Sequence, residues 1–70
     1  MGVASVSTIT SASPESWQKA VELGLERARK TLRGITGIKV IDERASVEEG
    51  SISEYIVTLQ IIFVLEDGDG

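Results

Sequence analysis

The densest collection of chemically capable side chains lies late in the chain, where Glu48, Glu49, Glu54, Glu66, Asp67 and Asp69 bring carboxylates close together in sequence. One such acid from each of several subunits, gathered on a symmetry axis, would make an oxygen-rich site for a hard cation of the calcium type. Their spacing fits no EF-hand loop, and each also suits a solvated turn or tail. Arg44 can grip a phosphate or carboxylate through two parallel hydrogen bonds, or pair at the surface with Glu43 or Glu54. Gln60 is the one amide among Ile56, Ile62 and Val64, so it is satisfied either across a subunit contact or by a ligand. Trp17, the only indole, could stack on a flat ligand, but its place on a helical apolar stripe reads first as packing. Histidine and cysteine are absent. That excludes disulfides, thiolate and imidazole metal sites and every His-based general base, and no matched acid and base replace them, so an enzyme is not expected.

These residues need elements to hold them. Residues 3–10, "VASVSTIT", are rich in β-branched and hydroxyl side chains and read as a first strand, with Val3 and Ile9 on one face and Val6 on the other. "SASPESW" then signals a helix start: Ser13 suits an N-cap, Pro14 the first helical position, and Glu15 the positive end of the dipole. From Trp17 the apolar positions Ala20, Val21, Gly24, Leu25, Ala28 and Leu32 follow at spacings of three and four, opposite a charged face. Glu15 with Lys19 and Glu26 with Lys30 are placed as i,i+4 pairs, and Gly34 offers a left-handed position after a helix ending near Arg33. Ala20, Gly24 and Ala28 recur every fourth residue. The helical cost of Gly24, about 1 kcal/mol against alanine, points to close approach of helix and sheet.

"GIKVIDERASV" (37–47) reads as a second strand, "EEGS" (48–51) as a tight turn, and "YIVTLQIIFVL" (55–65) as a long third strand. Residues 66–70 read as a mobile acidic tail on a single domain spanning 1–70. The order is β-α-β-β, an α+β fold in which a three-stranded antiparallel sheet wraps one helix. On the third strand Tyr55, Val57, Leu59, Ile61, Phe63 and Leu65 share one face, which the helix stripe can cover. Ile56, Thr58, Gln60, Ile62 and Val64 share the other, and the chain holds nothing further to cover it. An exposed patch of that size is rare on soluble monomers, so a second subunit must cover it.

Composition agrees. With 70 residues, a core of this size supplies only ~3–5 kcal/mol, and oligomerisation is the stabilising device left to a chain without cysteine. A net charge of −4 with no unbroken basic run argues against nucleic acid, and the longest apolar run, "IIFVL", is too short to cross a bilayer. The N-terminal residues lack the features of a leader, and a soluble cytoplasmic protein is expected.

The pattern of "SASPESW", "ERARKTLRGI", "KVIDERA" and "SEYIVTLQIIFVLE", spread over about residues 5–66, resembles the dodecin family. The resemblance implies a subunit of this fold and twelve copies forming a hollow shell, a homododecamer. It also implies storage or quenching of flavins (FMN, FAD or riboflavin) as stacked pairs in pockets between subunits. In typical members a tryptophan near the start of the second strand stacks on the flavin ring, and a glutamine after the tyrosine of the third strand bonds the ring's polar edge. The matching positions here are Gly37 and Ile56. Neither can do this: glycine offers no stacking surface and isoleucine neither donates nor accepts a hydrogen bond. Arg44 matches an arginine that lines the pocket in many bacterial members. The resemblance therefore implies a small-ligand binding or storage shell with ordinary flavin binding weakened or lost, and Gly37, Arg44, Ile56 and Gln60 as its candidate ligand-binding residues. The alternative is a structural or calcium-binding shell with no organic ligand. A positive φ at Gly37 would make the missing indole hard to restore.

Overall fold

The computed structural model describes residues 2–66, with side chains from Val3 to Leu65. Four elements follow in the expected order: β1 (Gly2–Ser13), α1 (Trp17–Arg29), β2 (Ile35–Glu48) and β3 (Ser51–Glu66). β3, the last in sequence, is the central strand, with β1 and β2 antiparallel on either side. β2 and β3 form a hairpin whose two turn residues, Glu49 (φ 52°) and Gly50 (φ 81°), are both left-handed, the geometry that matches the twist of paired strands.

All three strands are longer than their sequence signals. β1 continues through Ser11, Ala12 and Ser13, and β3 begins at Ser51 and includes Glu66, the first residue of the expected tail. Residues 67–70 lie outside the described residues.

The helix starts later than "SASPESW" suggests. Ser16, not Ser13, is the N-cap, its hydroxyl accepting from the Lys19 N–H at 3.0 Å. Ser13 is buried and its hydroxyl accepts from the Glu15 N–H at 3.0 Å, so Ser13, Pro14 and Glu15 form the turn before the helix. Glu15 therefore lies outside the helix, and Lys19 instead approaches Glu22 at 4.0 Å. The helix closes four residues before Arg33. Lys30 N–H bonds the Arg27 carbonyl, and the N–H groups of Thr31 and Leu32 both reach the Ala28 carbonyl, a tightened last turn. Gly34, at φ 71°, then turns the chain into β2, and its carbonyl accepts from Val64 N–H at 3.0 Å.

The core forms where α1 crosses the sheet. Ala20, Gly24 and Ala28 are buried against Val57, Leu59 and Ile61, each of which has 0% of its surface exposed. A methyl group added at Gly24 would stand 2.8 Å from Leu59 Cδ1 and 3.2 Å from Ser11 Cβ, closer than such carbons pack, which is the close approach the glycine permits. Ile9, Trp17, Val21, Leu32, Ile35 and Ile38 close the margins of this cluster. Leu65, on the same face as Leu59, lies beyond the helix and is exposed.

Candidate functional site

The outer face of the sheet, opposite α1, is built from the register. Across the three strands its rows are Val6, Ile62 and Gly37, then Thr8, Gln60 and Lys39, then Thr10, Thr58 and Asp42, then Ala12, Ile56 and Arg44. All four candidate residues, Gly37, Arg44, Ile56 and Gln60, therefore share this face. Strict alternation would forbid that, because Gly37 and Arg44 are seven residues apart and would point to opposite sides of a regular strand. A register shift between Val40 and Asp42 inserts Ile41 as an extra residue in β2, which reverses the facing of everything after it. The shift is visible as "VI", two consecutive apolar residues that are both exposed.

The candidates fall into two groups. Arg44 and Ile56 are direct cross-strand partners. Gly37 pairs with Ile62, one row from Gln60 and its partner Lys39. On β3 Ile56 stands four positions from Gln60 and six from Ile62, about 13 Å and 20 Å at 3.3 Å per residue.

Gly37 is open. Its φ is not among the positive values, found only at Gly34, Glu49 and Gly50 among the described residues, and a Cβ there would meet only Ile62 Cδ1, at an ordinary 3.6 Å. The backbone thus accepts a larger side chain, contrary to the obstacle a positive φ would have posed. Arg44 is exposed and its guanidinium donates to Asp42 at 3.3 Å, so its surface partner is Asp42 rather than Glu43 or Glu54. Alternation accounts for this partner: Asp42 and Arg44, two apart on β2, share a face, and Glu43 between them points to the other. Among the described residues the Gln60 amide makes no hydrogen bond, although Gln60 is half-buried, which leaves it free for a group from outside the subunit. Thr10 and Thr58 hydroxyls lie 3.4 Å apart in the neighbouring row. Lys39 and Asp42 were not singled out in the sequence; alternation places them only when the extra residue in β2 is known.

Trp17 packs within its own subunit. Its ring meets Tyr55 edge-to-face at 4.8 Å on the inner side, and its N–H donates to the Arg44 carbonyl at 2.9 Å. The indole thereby pins the start of the helix to β2 directly beneath Arg44. The carboxylates Glu48, Glu49 and Glu54 sit on the exposed hairpin end, and no three acids converge among the described residues of one subunit. Glu66, Asp67 and Asp69 lie outside the described side chains. No helix among the described residues is long and apolar enough to cross a membrane.

The family model for dodecin matches residues 3–66. The chain belongs to the dodecin family. It is 38% identical to a dodecin of Thermus thermophilus over 55 residues, 79% of this chain and 80% of the relative. Among solved structures it is similar to dodecin from Streptomyces coelicolor, with a TM-score of 0.90 and 28% identity, covering 96% of each chain. It is also similar to the calcium dodecin of Mycobacterium tuberculosis, a calcium-chelating immunodominant antigen with a novel calcium-binding site, with a TM-score of 0.79, 30% identity and 94% of each chain covered. These likenesses bear out the α+β subunit of three strands around one helix.

Proposed function

We propose that this dodecin is a non-enzymatic small-ligand binding shell whose pockets do not hold the ordinary stacked flavin pair. The whole chain, 1–70, acts as one domain, and twelve copies form a cytoplasmic homododecamer with pockets between outer faces. The observation that carries this reading is that the outer face has at Gly37 an open position with no side chain and at position 56, beside Arg44, an isoleucine. A flavin ring would lose its stacking surface at one position and its hydrogen-bonding partner at the other. Arg44, Lys39 and Gln60 remain on the same face as groups able to meet an anionic or amide-bearing ligand.

Titration with riboflavin and FMN, followed by flavin fluorescence, tests the proposal. Only weak quenching is expected; near-stoichiometric quenching at micromolar protein would overturn it. In the double variant Gly37→Trp, Ile56→Gln, quenching is expected to return, because the backbone at Gly37 accepts a Cβ without strain. An assembled double variant that still ignores flavin would place the loss elsewhere in the pocket.

The similarity to a calcium dodecin supports a second reading, a calcium-binding shell with acids supplied by several subunits. Calcium titration by calorimetry separates the two: saturable binding abolished by Glu48→Gln, Glu49→Gln and Glu54→Gln together favours the cation shell.

A further inference from the structure

One hydrogen bond joins α1 to the sheet among the described residues, and it ends on the backbone of a residue whose side chain serves the outer face. The Trp17 indole N–H donates to the Arg44 carbonyl at 2.9 Å. Packing does not require that partner, because the indole is only half-buried and water can satisfy its N–H. The ring itself is held by Tyr55, edge-to-face at 4.8 Å, and Tyr55 pairs with Ser13 on one side and Ala45 on the other. The remaining contact of helix with sheet is apolar and non-directional. The N–H is what ties the helix start to one backbone position of β2.

That position is poorly supported otherwise. β2 is an edge strand, and its pairing with β3 shifts register between Val40 and Asp42 and again between Ser46 and Val47, which leaves residues 42–46 as a short regular run between two irregularities. Each shift interrupts the ladder and adds local twist. Arg44 stands in the middle of the run, and its side chain is 60% exposed. The guanidinium is restrained at its head by Asp42, at 3.3 Å, and at its backbone by Trp17. A side chain this long turns a small rotation of its backbone into a large displacement of its head.

We propose that Trp17 is a positioning residue for the outer face: by holding the carbonyl of residue 44 it sets where the Arg44 guanidinium stands. The affinity of that face for an anion then depends on an indole on the opposite side of the sheet. The inference rests on the reading of Arg44 as a ligand-binding residue. Such coupling is reciprocal, so an anion that fixes the guanidinium also orders residue 44 and the indole bonded to it. Trp17 is the only tryptophan in the chain, and its fluorescence reports the event.

Pyrophosphate, a small anion that a guanidinium grips through parallel hydrogen bonds, is the probe, with calorimetric titration of the assembled protein as the measurement. Arg44→Gln is expected to weaken binding about tenfold or more, since it removes a charge-assisted contact. Trp17→Phe keeps a ring against Tyr55 and deletes the donor, and a loss of about threefold to tenfold is expected, the equivalent of one hydrogen bond. Tyr55→Leu removes the edge-to-face contact and leaves the donor; it should lower the melting temperature and leave the affinity unchanged. A loss of affinity in Tyr55→Leu equal to that in Trp17→Phe would overturn the inference, because ring packing rather than the N–H would then be responsible. Full affinity in a folded, assembled Trp17→Phe, with Arg44→Gln impaired, would also overturn it while leaving the reading of Arg44 intact. If Arg44→Gln binds pyrophosphate as the unaltered protein does, that reading and the inference fall together. The unaltered chain supplies a second measurement that needs no change at position 17. Saturating pyrophosphate is expected to shift its tryptophan emission, and the shift should be absent in Arg44→Gln. Arg44-dependent binding without any change in emission would refute the link.

Discussion

The two faces of the sheet are built from similar side chains and reach different states. On the inner face Val57, Leu59 and Ile61 are wholly removed from solvent, because Ala20, Gly24 and Ala28 let the helix settle against them. On the outer face Ile56, Ile62 and Val64, drawn from the same strand, stay partly exposed because none of the described elements crosses them. Side-chain hydrophobicity alone does not decide burial; the availability of a covering element does. Each fully buried side chain of this size is worth about 1.5–3 kcal/mol. The outer face therefore holds stabilisation that a single subunit cannot collect, and the family's oligomeric habit is its natural outlet.

Substituting the outer face should have the largest effect. Ile62→Asp would strand a carboxylate in an apolar subunit contact at a cost of several kcal/mol, and the expected result is loss of both the large particle and the folded state. Light scattering with circular dichroism reads this; a soluble, cooperatively folded monomer would show that folding does not need assembly, and an intact particle would show that Ile62 lies outside the contact. Leu59→Ala should cost about 2–5 kcal/mol through the cavity it leaves, while the particle keeps its size, because the inner face is closed within the subunit. If Leu59→Ala disperses the particle as readily as Ile62→Asp, the two faces are not energetically distinct. The smallest effect is expected at the helix–sheet contact. Gly24→Ala gains about 1 kcal/mol of helix propensity and loses about 1–3 kcal/mol to crowding against Leu59 and Ser11, for a net loss of about 1 kcal/mol. A raised melting temperature would mean that the helix can move away from the sheet at little cost.

Element order, the two-faced third strand and the close helix were legible because each rests on a local period: spacings of three and four from Trp17, alternation from Tyr55, and small residues every fourth position. The helix start was less so. "SPES" contains two serines that can cap, and Pro14 drew the assignment to Ser13; Trp17, which has to reach both Tyr55 and the Arg44 carbonyl, is the tertiary contact accompanying the later start. Hydroxyl-rich ends such as Ser11 to Ser13 and Ser51 to Ser53 carry little strand signal, so the strands came out short. At the candidate site Ile56 and Gln60 followed from alternation along one strand. Their relation to Gly37 and Arg44 depends on the extra residue at Ile41, a feature of pairing between strands that a one-dimensional period does not contain.

The placement of β3 at the centre of the sheet has a consequence for the order of events during synthesis. Gly2 pairs with Glu66, and both edge strands find their hydrogen-bonding partner only in β3, which is made after them. While the ribosome is still producing the chain, β1 has no neighbour, the apolar stripe of α1 has no surface to rest on, and β2 has only the beginnings of a hairpin. Such far-separated pairing delays closure until β3 has emerged. A nascent chain halted before Tyr55 would leave its apolar residues open to chaperones, and release of the finished strand would commit fold and assembly within the same step.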